Sequence, residues 1–213
     1  MIQLYYYPGN ANLAPHMILE EMGLPYELVL VDTEKKEHQA AAYLKLNPTG
    51  KIPALLDDGL VLTETAAICL HLADKYSQGK LVPSLGTPQR AQLYRWLMYL
   101  TNTLQAELIT YFYPHRLATD DAAIAQVKAH AEARVAEMID LLENNLALSG
   151  GEYLLGEQFS ILDPYLFMLC RWTRNMQNPA RDREHLGKFL NLLAERPCVK
   201  RTFDMEGITT PYF

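Results

Sequence analysis

The sequence predicts an α/β domain followed by an all-α domain, and three observations carry that reading. Strand and helix signals alternate over residues 1–78, Gly79, Pro83 and Gly86 punctuate a linker at 79–87, and only helix signals remain over 88–213. Ile2–Tyr7 is rich in aromatic residues and reads as a strand closed by the turn pair Pro8-Gly9. Pro15 suits the first turn of a helix. Met17, Ile18, Leu19 and Met22 give that helix an apolar face, and Gly23 stops it. Tyr26–Val31 is a short strand-like run, and Glu37–Leu46 is a weaker helix closed by Asn47-Pro48. Ile52–Leu56 and Leu60–Leu62 flank the hairpin signal Asp57-Asp58-Gly59, and Thr63 precedes a helix to about Tyr76. The order of the first domain is therefore βαβαββα. In the second, Gln89–Tyr113 reads as one long helix ending at Pro114. Asp120-Asp121 opens another to about Leu148, stopped by Ser149-Gly150-Gly151. Ser160–Met176 and Arg183–Glu195 follow, and the tail to Phe213 has room for one more turn.

Composition places the chain among ordinary globular proteins. Its 213 residues are 49% apolar and 21% charged, far from disorder and enough to bury a core. Lys and Arg number 19 against 25 Asp and Glu, a net charge of −6. That argues against a nucleic-acid or anionic-membrane surface. No apolar run approaches the roughly 18 residues of a membrane span. The start, Met1-Ile2-Gln3-Leu4, has no basic leader, so no signal peptide is expected. Cys69, Cys170 and Cys198 are odd in number and far apart, which excludes a disulfide framework and a zinc ribbon. The expectation is buried, reduced cysteines in a cytoplasmic protein without a bound metal. Basic residues also divide at the linker, with 6 Lys and no Arg in residues 1–80 but 3 Lys and 10 Arg in residues 81–213.

The stretch that carries chemistry is Asn47-Pro48-Thr49-Gly50-Lys51-Ile52-Pro53, with Glu64-Thr65 beginning eleven residues after Pro53. Proline at the start of a strand removes a ladder donor. A cis Ile52-Pro53 bond would turn the Ile52 backbone out of the sheet edge, where an extended peptide could pair with it. Glu64-Thr65 opens a helix. Its N–H groups suit a carboxylate, the Thr65 hydroxyl adds a donor, and the Glu64 carboxylate suits an amine. An amine and a carboxylate on one carbon, joined to a short extended peptide, describe glutathione. Read alone, Glu64 and Thr65 are better explained as a helix cap. Ser160-Ile161-Leu162-Asp163 is a Ser-x-x-Asp capping box, a folding element.

Together these motifs resemble the glutathione S-transferase family. The Asn-Pro-x-Gly-x-Ile-Pro run, the acidic-Thr pair and the capping box fall in family order and at family spacing, and the resemblance spans nearly the whole chain. Tyr7-Pro8-Gly9 followed by Leu13-Ala14-Pro15-His16 looks most like bacterial beta-type members. The resemblance implies a thioredoxin-like first domain that binds glutathione as co-substrate. It also implies a second domain lining the site of a small hydrophobic electrophile, and a homodimer. One departure matters. Beta-type members carry a cysteine then a serine before the first helix, where this chain has Ala11 and Asn12. A histidine that many of them place in the first long helix is Gln105 here. The mixed-disulfide chemistry expected of a beta-type cysteine therefore has no sulfur at this position.

The thiol must be activated otherwise. Moving a cysteine-like pKa from ~8.5 to about 6.5 requires roughly 2.7 kcal/mol. One hydrogen bond to a charged group contributes about 1.5–3 kcal/mol, and a helix N-terminus about 0.3–1. The Asn12 amide, aided by the helix that begins near Ala14, is the first candidate, Tyr6 its rival, and backbone N–H groups the third option. Strand alternation turns Tyr5 and Tyr7 away from Tyr6. Lys51, and less strongly Lys35 and His38, are candidates for the glycine carboxylate of glutathione. His16 reads as a structural residue. Tyr111, Tyr113, Arg116 and Trp172 are expected to line the electrophile pocket, although aromatics at helical spacing are more often core than ligand contacts. Three functions remain open at this stage: a transferase acting on electrophiles or peroxides, a non-catalytic glutathione-binding protein, and a glutathione-dependent disulfide reductase.

Overall fold

The computed structural model describes the whole chain, residues 1–213. It divides into two compact units, Met1–Val82 with Ala194–Tyr212, and Pro83–Leu193 with Phe213. The first unit follows the expected order: β1 (Ile2–Tyr6), α1 (Leu13–Met22), β2 (Tyr26–Leu30), α2 (Ala41–Leu44), β3 (Ala54–Asp57), β4 (Leu60–Thr63) and α3 (Thr65–Tyr76). The sheet order is β2-β1-β3-β4, with β1 parallel to β2 and antiparallel to β3, and β3 antiparallel to β4. Leu4, Leu55, Met17, Ile18, Ile68 and Leu72 are fully buried and form its core.

The β3–β4 turn is a two-residue hairpin with positive φ at both Asp58 (50°) and Gly59 (88°), the mirror-image turn that matches strand twist. Beside it Asp57 is buried. It accepts from His71 Nε2 (2.7 Å), Lys75 Nζ (2.8 Å) and Tyr76 Oη (2.7 Å), all on α3. These three donors fasten α3 to the hairpin.

The second unit is helical: α4 (Pro88–Met98), α5 (Ala106–Phe112), α6 (Asp121–Ser149), α7 (Leu162–Trp172) and α8 (Glu184–Ala194). The single long helix expected over 89–113 is broken into α4 and α5 by seven residues of π-helical backbone, Tyr99–Gln105. Thr101, Asn102 and Thr103 in this stretch are weak helix formers, which lowers the resistance to a wider turn. The helix expected over 160–176 is shorter. Ser160 lies outside it, its N–H donating to Asp163 Oδ2 (2.7 Å) and its Oγ accepting from Leu162 N–H (3.3 Å). At the other end Thr173 Oγ1 donates to the Cys170 carbonyl (2.7 Å), and one 3-10 turn replaces the last turn.

The tail is the largest difference. It forms the ten-residue helix α9 (Pro197–Glu206), and this helix belongs to the first unit, packed on α1. The expected second domain, 88–213, therefore loses residues 194–212. Pro197 looks like the stop of the preceding helix, but it is also a preferred first residue for the next one.

Candidate active site

Sheet register gathers the site at one end of the first unit. Tyr5 pairs with Ala54, and Ala54 pairs with Thr63. The next residues, Tyr6, Pro53 and Glu64, therefore share one end of the sheet. The Ile52–Pro53 peptide bond is cis. The turn before it is pinned by Asn47, whose Oδ1 accepts from Thr49 N–H (3.1 Å) and Thr49 Oγ1 (2.7 Å). Asn47 Nδ2 and Tyr43 Oη both donate to the Lys51 carbonyl at 2.6 Å. Gly50 has φ 61°, and a Cβ there would sit 3.1 Å from the His38 carbonyl oxygen, so the turn needs glycine. The Ile52 side chain is buried with Val31, Tyr43 and Ala54. Its backbone N–H and C=O lie outside the ladder and take no protein partner.

Glu64 opens α3 with φ 70° and ψ 116°, a conformation that costs a non-glycine residue about 1–3 kcal/mol. Its side chain caps nothing. The first helical bond runs from Ile68 N–H to the Glu64 carbonyl (2.9 Å), so the N–H groups of Thr65, Ala66 and Ala67 have no helical acceptor. Thr65 is buried and donates from Oγ1 to the Ala11 carbonyl (3.2 Å), which ties α3 to the loop after β1. An exposed carboxylate beside an uncapped, strained helix start can hold an ammonium and a carboxylate on one carbon.

In the loop after β1, Asn12 is held from within. Its side chain has no exposed surface. Oδ1 accepts from Tyr7 N–H (3.2 Å) and Nδ2 donates to Glu206 Oε1 (2.8 Å). An amide so enclosed acts as a strut inside the loop. Leu13 N–H is likewise taken, by the Asn10 carbonyl (3.1 Å). Tyr6 stands as expected on the opposite face from Tyr5 and Tyr7, which pack on the Val31–Tyr43 cluster. Burial, reinforced by the Glu206 carboxylate, raises its pKa, so the phenol stays protonated and able to donate. Its hydroxyl has no protein partner.

Glu206, at the end of α9, is the residue that sequence reasoning missed. Its Oε2 accepts from Gly9 N–H (2.9 Å), and its Oε1 accepts from Asn12 Nδ2 and pairs with His16 Nδ1 (2.7 Å). His16 Nε2 meets Tyr26 Oη at 2.8 Å, and Tyr26 donates to Glu20. His16 is thus structural, as expected. For Glu20, burial pushes the pKa up, but donation from Tyr26 and Arg201 outweighs it and the net shift is downward. Nothing local in the sequence pairs Glu206 with a loop some 194 residues away.

Around the motif, Lys51 is exposed and in no ion pair, whereas Lys35 is turned to Asp32 (2.8 Å). His38 is half-buried, and its Nδ1 is enclosed without a partner.

The chain matches the family description "Glutathione S-transferase, N-terminal domain" over residues 1–74 and "Glutathione S-transferase, C-terminal domain" over residues 122–201. It is 33% identical to glutathione S-transferase GstA of Escherichia coli O157:H7, covering 97% of this chain and 100% of that one. Among solved structures, a glutathione transferase homologue from Sulfitobacter with bound glutathione superimposes with a TM-score of 0.88 at 31% identity, covering 98% and 99% of the two chains. A sphingomonad glutathione S-transferase complexed with glutathione gives 0.84 at 33% identity, covering 97% and 100%. The chain belongs to the glutathione S-transferase family. Its first unit is accordingly thioredoxin-like and its second the helical domain of that family.

The four residues expected to meet the electrophile in a glutathione S-transferase lie in the second unit and fall into two adjacent groups. Phe112 stands edge-on to both Tyr111 (5.2 Å between centroids) and Trp172 (6.3 Å). One residue on, the Arg116 guanidinium lies 4.1 Å from the Tyr113 ring centroid. Phe112 and Tyr113 are 43% and 41% exposed, so these two rings are not core. The Tyr111 pKa is raised, by burial first and by Glu132 second.

Proposed function

We propose that this chain is a glutathione transferase that activates the glutathione thiol for attack on small hydrophobic electrophiles or peroxides. The observation that carries the reading is the unpaired Ile52 backbone standing beside the uncapped, strained helix start at Glu64-Thr65. Glutathione supplies what each group lacks. Its γ-glutamyl amine meets Glu64, and its α-carboxylate meets the free N–H groups of Thr65, Ala66 and Ala67. Its cysteinyl backbone pairs with Ile52 N–H and C=O as an added strand. Its glycine carboxylate meets Lys51, with His38 as a second donor, while Lys35 is occupied by Asp32. The sulfur then lies near the end of β1. The Tyr6 hydroxyl donates to the thiolate, the N-terminus of α1 adds its dipole, and water takes the thiol proton. Asn12 contributes by holding the loop.

Attack forms a bond from sulfur to the electrophilic carbon and expels the leaving group with its electron pair. Three free, buried cysteines support a reducing cytoplasmic setting. Titration calorimetry with millimolar glutathione tests the reading. One site per chain is expected, with affinity falling about tenfold in Glu64→Gln. Absence of both heat and a thermal shift overturns it.

A further inference from the structure

We propose that the helical unit carries a ligand site of its own, a groove between α4 and α6 that takes a neutral cyclic amide, a ring in which a carbonyl stands beside an N–H. The proposal goes beyond the transferase reading and does not rest on it. The groove lies wholly within the second unit, between α4 and the last turns of α6, and Leu154, Leu155 and Gly156 form its third wall. Its volume is about 360 Å³, within the ~300–1,000 Å³ of small-molecule pockets. It shares no residue with the ring cluster around Phe112 or with the stretch from Asn47 to Thr65.

The third wall is fixed by the fold. At Gly151 a Cβ would lie 2.2 Å from the Gly156 carbonyl carbon, so the loop closes only on glycine. Tyr153 N–H donates to the Gly156 carbonyl (2.8 Å), and Gly156 N–H donates to the Tyr153 carbonyl (3.0 Å). Leu154 N–H donates to Asp163 Oδ1 of α7 (2.9 Å), and the Leu154 carbonyl accepts from Asn145 Nδ2 of α6 (3.0 Å).

The lining chemistry selects the ligand. No charged side chain lines the groove, although 21% of the chain is charged. Trp96 lines it while only 3% exposed, and the indole N–H has no acceptor in the protein yet is not sealed from solvent. The indole is held in place by the Arg95 guanidinium, 4.3 Å from its centroid, and by Tyr99, edge-on at 5.6 Å. Arg95 Nη1 also donates to Gln92 Oε1 (3.3 Å). A guanidinium only donates and a carbonyl only accepts, which fixes the orientation of both amides. Gln92 keeps its Nε2 hydrogens, and Asn145 keeps Oδ1. The groove thus presents two donors, from Trp96 and Gln92, and one acceptor, from Asn145, beside the apolar Pro88 and Leu155. In a cyclic amide the carbonyl oxygen accepts from those donors, the N–H donates to Asn145, and the ring covers the apolar wall. A charged ligand would lie there without a counter-charge.

Proton–nitrogen correlation spectra of the full chain carry the test. The chain has two tryptophans, so Trp96 and Trp172 give one indole resonance each, told apart in Trp172→Phe. Titration with 2-quinolinone is expected to shift the Trp96 resonance saturably, with one site per chain. Its N-methyl derivative, which lacks the N–H, and quinoline-2-carboxylate, which is charged, are expected to bind about tenfold more weakly. Gln92 is exposed, and Gln92→Met keeps helix propensity while removing the donor. That variant is expected to bind 2-quinolinone about fivefold more weakly. A Trp96 resonance that stays unmoved at millimolar 2-quinolinone, or movement confined to Trp172, overturns the site. Equal binding of the three compounds, or tighter binding of the carboxylate, overturns the neutral cyclic amide as its ligand. Unchanged affinity in Gln92→Met overturns the donor role of that residue.

Discussion

At Glu64 the chain holds a positive φ on an exposed residue with no side-chain partner, and that strain persists only because α3 and β4 fix the backbone on either side. Thr65 and Asn12 do comparable work from within. One ties α3 to the Ala11 carbonyl, and the other ties the loop to Glu206. The difference between a holding residue and a reacting one can be measured at Tyr6 and Asn12. Tyr6→Phe removes only a hydroxyl and is expected to raise the pKa of bound glutathione's thiol by about one unit, the effect of one charge-assisted hydrogen bond. Absorbance of the thiolate near 240 nm across pH reads it directly. Asn12→Ala is expected to lower the melting temperature, because it leaves Tyr7 N–H unpaired and Glu206 short of a donor. If Asn12→Ala moves the thiol pKa and Tyr6→Phe does not, the assignment reverses. The backbone arrangement at Ile52, Glu64 and Thr65 is legible in the sequence because it depends on local features, a proline and a helix start. The enclosure of Asn12 is not, because its partner comes from the other end of the chain.

Among the elements, α3 and α9 show what local signals reach and what they miss. The hairpin and α3 follow from Asp58-Gly59 and a regular apolar face, so their order is legible. The anchoring of α3 on Asp57 requires the fold. Burial raises the Asp57 pKa, but donation from Lys75, Tyr76 and His71 outweighs it and holds the carboxyl down at about 2. Its ordinary value is near 3.9. A depressed carboxyl stabilises the folded state above the unfolded pKa, and that contribution disappears as pH falls from about 4 to about 2. It amounts to about 2.5 kcal/mol. Asp57→Asn is expected to lose a similar amount at pH 7 and to flatten the acid limb of the stability curve over that window, as chemical denaturation would read. Equal acid limbs in the two proteins would refute the argument. For α9 the decisive contact is Glu206. Glu206→Ala leaves His16, Asn12 and Gly9 N–H without their acceptor and is expected to cost about 3–5 kcal/mol of unfolding free energy. A loss below about 1 kcal/mol would reduce the hub to a surface-grade interaction.

On the scale of the whole molecule, the exposed end of the sheet bears on assembly. β4 is an edge strand, and it leaves Leu60 45% and Val61 39% exposed. Edge strands with apolar residues pair or aggregate unless something covers them, and this one carries no proline or bulge to prevent it. In the helical unit, Tyr94 and Met98 lie one turn apart on α4 and are 40% and 43% exposed, a second apolar patch. Surfaces of this kind are what a two-fold interface with a second copy buries. We therefore expect a homodimer, a species of twice 24.3 kDa in sedimentation equilibrium at micromolar concentration. Val61→Lys places a charge in the apolar edge and should shift the equilibrium toward the 24.3 kDa monomer while the circular dichroism spectrum stays unchanged. If the parent chain sediments as a monomer, β4 is simply exposed and the edge must be protected by its shortness. If Val61→Lys remains dimeric with unaltered affinity, the interface lies elsewhere, and Tyr94→Lys on α4 is then expected to dissociate it.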